Sequence, residues 1–211
     1  MKNARTIVTG SVLGLGLLAG ALAVAQQGKD KQPEMQLPPG WTTEDMQACM
    51  MAGTPGKQHE QLAKMVGKWN AHNKMWMGPG GQEMASEGTW TVTSIMDGRY
   101  VRTDVSGEVP GMGAFSGMGI AGFDNVSQQY VADWIDSHSS GIMRGTGEMS
   151  PDGKTMTWRY TYNCPITKKP TVMREILRWT GDNTMTMEMH MTDPKSNKEY
   201  KGMEINLTRA K

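Results

Sequence analysis

Neither sign of charge dominates this 211-residue chain: 22 Lys and Arg stand against 21 Asp and Glu, for a formal net charge of +1, and the two signs are interspersed. That balance removes the electrostatic footprint on which nucleic-acid binding rests. The four histidines, His59, His72, His138 and His190, are scattered, with no H-x-H, H-E-x-x-H or C-x-x-C nearby. Zinc spacing is therefore absent, no metal ligand is assigned and no cofactor is expected. A G-x-S-x-G elbow is missing too. Asp136-Ser137-His138 carries the letters of a hydrolase triad, but neighbours in a strand point to opposite faces and cannot align as nucleophile, base and orienter. No catalytic residue is assigned. Beyond Val24 there is no second long apolar run, so no transmembrane segment follows the first one. Leucine is scarce beyond residue 25, where only Leu37, Leu62, Leu177 and Leu207 occur.

What is present begins with a targeting segment. Lys2 and Arg5 supply a positive end, Ile7 to Val24 is apolar with Gly14, Gly16 and Gly20, and Ala23-Val24-Ala25 fits a small-x-small cleavage site. Residues 1–25 read as an export signal and residues 26–40, QQGKDKQPEMQLPPG, as a disordered linker. The expected location is periplasmic or extracellular. A retained anchor is the competing reading, because the apolar stretch approaches the ~18 residues a spanning helix needs. The rest of the chain is the size of one domain with one core. Its two cysteines, Cys49 and Cys164, form an even count that an oxidising compartment allows to pair. Two unrelated thiols are the equal alternative.

Residues 41–66 read as two short helices. Thr43 caps the first over Glu44 to Met51, with Glu44 and Asp45 in the first turn. The second runs from about Lys57 to Val66, and Gly67 closes it. From Gly67 onward, runs of period-two alternation are separated by turn signals. The strands fall near Lys68–Met77, Gln82–Ile95, Arg99–Ser106, Phe115–Phe123 and Gln128–Asp136. Five more follow near Ser140–Met149, Thr155–Asn163, Thr171–Trp179, Thr184–Thr192 and Lys198–Thr208. Connections as short as Asp97-Gly98, Asp124-Asn125 and Gly181-Asp182-Asn183 make neighbours antiparallel. An up-and-down meander of about ten strands loses its unpaired edges by closing, so residues 67–211 are expected to form an antiparallel β-barrel, able to hold one small ligand.

Gly67-Lys68-Trp69 at the start of the first strand is similar to the G-x-W signature of lipocalin-like barrels. The resemblance implies that Trp69 packs at the closed end, with the late Arg209 laid across it. More broadly, the run from His59 to Arg209 resembles a bacterial family known as domain of unknown function 1579. His59-Glu60-Gln61-Leu62, Asp97-Gly98-Arg99 and Gly117 with Gly122-Phe123-Asp124-Asn125 carry that likeness. So do Trp134-Ile135-Asp136-Ser137, Gly145-Thr146-Gly147, Lys198-Glu199-Tyr200, Met203-Glu204-Ile205 and Thr208-Arg209. What it implies is a lipocalin-like fold, with no activity to carry over. Fold alone does not license function.

Methionine, 21 residues in all, is the compositional oddity. The segment Met185-Thr186-Met187-Glu188-Met189-His190-Met191 offers four soft sulfurs, which would suit Cu(I). In a strand the four share one face ~7 Å from neighbour to neighbour, while His190 points away. The competing reading, methionine as a flexible substitute for leucine, fits the scarcity of leucine. Trp90, Tyr130, Trp134, Trp158, Tyr160 and Trp179 have parities compatible with one inward face, where they either fill the barrel or line a pocket. Glycines on the facing runs, including Gly117, Gly119, Gly145 and Gly147, leave room that rings or a ligand must occupy. Glu175 and Glu204 lie in separate late strands, and the sequence leaves open whether they meet. The function this supports is binding of a small apolar or amphipathic molecule by Trp90, Tyr130, Trp134, Trp158 and Tyr160, with Arg99 or Asp136 as the polar contact. The alternatives are a filled structural or interaction module, and copper handling through the methionine sulfurs.

Overall fold

The computed structural model describes residues 37–211; the expected export signal, and the expected linker as far as residue 36, lie outside the described residues. Two short helices, α1 (Thr43–Ala52) and α2 (Lys57–Ala63), precede ten strands. These are β1 (Gly67–Trp76), β2 (Glu83–Ile95), β3 (Tyr100–Val109), β4 (Gly113–Asp124) and β5 (Gln129–Asp136). Next come β6 (Met143–Met149), β7 (Thr155–Asn163), β8 (Pro170–Gly181), β9 (Thr184–Thr192) and β10 (Glu199–Arg209). Every strand pairs antiparallel with its sequence neighbours, and β10 returns to pair with β1, so the sheet closes into the barrel the turn spacing predicts. Closure leaves no edge strand to aggregate.

The turns are built by side chains that bond to their own backbone. Asp124 accepts from the Val126 amide at 2.8 Å and the Ser127 hydroxyl at 2.6 Å. Asp152 and Asp193 do the same with Ser150, the Lys154 amide and Ser196. These bonds hold all three carboxyls below their usual range. Met96, Asp97 and Gly98 turn β2 into β3 through three successive residues with positive φ, from 51° to 84°.

One parity of each strand faces inward. Trp69 and Ala71 on β1, Trp90 and Val92 on β2, Met156 and Trp158 on β7, and Ile205 and Leu207 on β10 are buried, while their immediate neighbours are more exposed. The outward faces of β8, β9 and β10 carry a charged network. Arg178 pairs with Glu188 at 3.0 Å, Arg174 with Glu199 at 2.5 Å, and Lys201 reaches both Glu188 and Glu204.

The helices cover one end. Leu62 is buried and Gln61 donates to the Gly153 carbonyl at 2.5 Å, fixing α2 to the β6–β7 turn. His59 is buried too; its Nδ1 accepts from the Gly56 amide at 3.0 Å and its ring meets Phe123 edge-on. The same end is locked by Arg209, whose guanidinium lies 4.1 Å from the centre of the Trp69 ring and donates to the carbonyls of Val66 at 2.7 Å and Lys64 at 3.2 Å. Gly67 is the residue Arg209 passes over. Its φ is +138°, and a β-carbon there would collide with the guanidinium.

Two helix boundaries differ from expectation. Thr42, not Thr43, caps α1, because Asp45 three residues on returns the bond to the Thr42 amide and completes a capping box. α2 ends at Ala63, and the last turn to Val66 is carried by i to i+3 bonds instead.

Candidate binding cavity

A cavity of about 260 Å³ occupies the barrel between the α2 cap and the opposite mouth. Leu62 and Met65 form its floor, while Glu108, Val109, Phe115 and Asp136 stand toward the mouth. Its existence depends on where the large rings lie. Gly147 is paired directly with Trp158, Gly145 with Tyr160 and Gly119 with Trp134. Each ring covers its glycine: Tyr160 and Trp158 carbons lie 2.7 Å from where β-carbons of Gly145 and Gly147 would sit, and Trp134 covers Gly117 likewise. The rings therefore use space that side chains would take, and lie along the wall with the lumen open.

Across from the rings, the wall is methionine. Cross-strand pairing runs from Met75 on β1 to Met203 on β10, Met189 on β9 and Glu175 on β8. The same row continues to Trp158 and Gly147, then to Tyr130 and Phe123 near the closed end. Directly paired β-carbons lie ~5 Å apart, so adjacent members touch. Met187 and Met191 extend the methionine surface along β9. Unbranched thioethers change rotamer readily, which gives this side of the cavity an adaptable wall.

Glu175 breaks the apolar row. Its residue is 8% exposed, and among the described residues it has neither a hydrogen bond nor an ion pair. Burial alone pushes its carboxyl up to about 8, so it is largely protonated at neutral pH. Tyr160 is close enough to feel it: burial first, then the Glu175 and Asp133 charges, raise that phenol well above its usual range. Asp136 is differently employed. It accepts from the Trp134 indole at 3.0 Å and the His138 amide at 2.9 Å, so it holds the Trp134 ring in place at the mouth.

Of the residues expected to contact a ligand, Trp90, Trp134, Asp136, Trp158 and Tyr160 line the cavity. Tyr130 and Arg99 do not. Tyr130 has the inward parity but sits lower, packed 4.9 Å from Phe123 in the closed-end layer. Arg99 lies outside β3, where its Nε donates to the Gly53 carbonyl at 2.8 Å and its Nη1 to Met96. Asn125 works beside it, donating to the carbonyls of Met51, Ala52 and Thr54. These two turn residues fasten the α1–α2 connection to the barrel.

Glu175 was not among the expected contacts, although its shared parity with Met173, Leu177 and Trp179 marks it as inward. Glu204 does not meet it. Glu204 occupies the outward parity of β10 and pairs with Lys201. Cys49 and Cys164 are both free. Cys49 lies on α1 beside the covered end, whereas β7 carries the chain from that end through nine residues to Asn163, so a bond would have to span the barrel's length. Bonds from Thr167 hold the Cys164 thiol below its ordinary value.

The sequence profile of the family described as "Protein of unknown function (DUF1579)" matches residues 54–209. The chain belongs to that family. The matched span takes in α2 and all ten strands, and so the whole cavity wall. No curated protein matches the sequence. Among solved structures, the S-type phycobiliprotein lyase CPES from Guillardia theta is similar, with 11% identity and a TM-score of 0.52 over 74% of this chain and 99% of that one. Rv2717c from M. tuberculosis is also similar, with 13% identity and a TM-score of 0.54 over 75% of this chain and 100% of that one. At these identities the likeness is one of fold, and this DUF1579 protein shares a lipocalin-type barrel with both.

Proposed function

We propose that this protein is an exported carrier that holds one small apolar or amphipathic molecule inside its barrel. The observation that carries the reading is the 260 Å³ cavity, left open because Trp134, Trp158 and Tyr160 lie over glycines. Ligand sites of this kind are concave, mainly apolar and furnished with a few polar groups. Its volume falls just below the ~300 Å³ at which drug-sized sites begin, which favours a compact ligand. Export is the part of the proposal that rests on Lys2, Arg5, the apolar run to Val24 and Ala23-Val24-Ala25. The similar phycobiliprotein lyase makes a ligand-handling barrel of this shape a reasonable comparison, without naming this protein's ligand.

Native mass spectrometry of protein purified from its own compartment, followed by a lipid and aromatic panel, tests the proposal. A retained small molecule, or saturable one-to-one binding, is the expected result. An empty barrel that takes nothing from the panel would refute it.

The row Met75, Met203 and Met189 also favours a second reading, Cu(I) binding, because cross-strand neighbours come closer than residues along β9. Competition against a Cu(I) chelator separates the two. Stoichiometric copper uptake that is lost in Met189→Leu would favour the metal.

A further inference from the structure

Among the described residues, Glu175 is the one buried carboxyl in the cavity wall. It lies at the junction of the methionine and aromatic walls, with Met189 paired to it on one side and Trp158 on the other. A carboxylate withdrawn from water needs a cation or several donors, and among the described residues Glu175 has neither. Among the described residues, no Lys, Arg or His lines the cavity. The acidic groups around it are Asp136 and Asp133 on β5 and Glu108 on β3, with the Tyr160 phenol on β7; β9 and β10 face it with methionine. Asp133 is directed to Arg144 outside the barrel, at 3.9 Å, and Asp136 is held by Trp134. Glu175 therefore faces the lumen alone.

We infer that the cavity is shaped for a cationic amphiphile: a primary alkyl or arylalkyl amine whose ammonium group seats on the Glu175 carboxylate while its apolar part lies against the tryptophan and methionine walls. The inference rests on the carrier reading and specifies its ligand class. An ammonium there supplies the missing counter-ion in a low-dielectric site, where Coulomb attraction is strong. It also comes beside Trp158 and Tyr160, whose ring centres are 6.0 Å apart and whose faces attract cations. A neutral ligand leaves the carboxyl unpaired. An anionic ligand meets Asp136 at the mouth and finds, among the described residues, no cation in the lining to balance its charge.

Titration calorimetry with n-hexylamine, n-hexanol and hexanoate at pH 7 tests this. The amine is expected to bind at least about tenfold more tightly than the alcohol, as a charge-assisted bond in a dry site should require, and hexanoate more weakly than either. Glu175→Gln is expected to abolish the preference for the amine over the alcohol. A readout in the unaltered protein guards against a variant that fails to fold. Because the free carboxyl titrates at about 8, pairing it with an ammonium at pH 7 should release close to one proton, seen as a buffer-dependent enthalpy. Equal binding of amine and alcohol, with no proton released, would overturn the inference and leave the carrier reading standing. Failure of all three to bind would remove both.

Discussion

Trp158 lies over Gly147, its Cε3 and Cζ3 atoms 2.7 Å from the place a β-carbon would occupy. The two residues are directly paired across β6 and β7. A ring that would otherwise cross the lumen is thereby laid along the wall. Gly147→Ala should force Trp158 inward, narrow the cavity and cost about 1 to 3 kcal/mol of stability, as overpacking does. Denaturant unfolding and n-hexanol titration check both effects. Native stability with undiminished binding would show that the ring has room elsewhere.

Glu175 makes stability fall with rising pH. Its folded-state value is about 8 against an ordinary 4.5, so between those values the folded protein binds the extra proton. Unfolding free energy should decline through that window by roughly 1 kcal/mol per pH unit and level off above it. Glu175→Gln should flatten the decline. At the acid side the turn carboxyls Asp124, Asp152 and Asp193 act in the opposite direction. Their values are lowered by folding, so their contribution is present above their ordinary 3.8 and is lost as the pH falls through the folded values. Thermal unfolding across pH 3 to 9 should therefore peak between the two groups, at about pH 4.

Removing Arg209 should loosen the closed end. Arg209→Ala deletes the cation over Trp69 and leaves the Val66 carbonyl without its donor, a loss of about 2 kcal/mol or more. Arg209→Lys should recover only part, because a lysine cannot stack and donate to two carbonyls at once. Equal stability of the lysine variant and the native protein would contradict the geometry.

Arg99 and Asn125 hold the α1–α2 connection, not the ligand. In the double variant Arg99→Ala, Asn125→Ala, amide exchange in α1 should accelerate while the strands stay protected. Cavity binding should be unchanged. A drop in n-hexanol affinity without any change in α1 exchange would return Arg99 to the site.

Much of this was legible in the chain. Period-two alternation and turn chemistry lead to ten strands and a closed barrel, because side-chain direction in a strand is fixed by parity and short turns leave only antiparallel neighbours. Parity could not place residues along the barrel axis. Tyr130 and Trp158 both point inward, yet one packs against Phe123 in the closed-end layer and the other lines the cavity. Arg99 sits one residue before β3, where three successive positive φ angles redirect the chain, and no alternation rule reaches it. The methionine row needed the cross-strand register, since Met75 on β1 is separated by most of the chain from Met189 on β9 and Met203 on β10. Glu175 had the right parity all along. A charge within a strand reads first as a solvated face, and only the burial of its neighbours on β8 shows otherwise.

The most direct test of a hollow, ligand-accepting barrel is a titration of methyl-¹³C-methionine protein with n-hexanol, followed by NMR. Met187, Met189, Met191 and Met203 line the cavity, whereas Met50, Met51, Met96 and Met112 are exposed on the surface. Saturable shifts confined to the cavity methionines, reaching a plateau at one ligand per chain, are the expected result of a hollow barrel. Unmoved cavity methyls, or shifts only at the exposed ones, would contradict it.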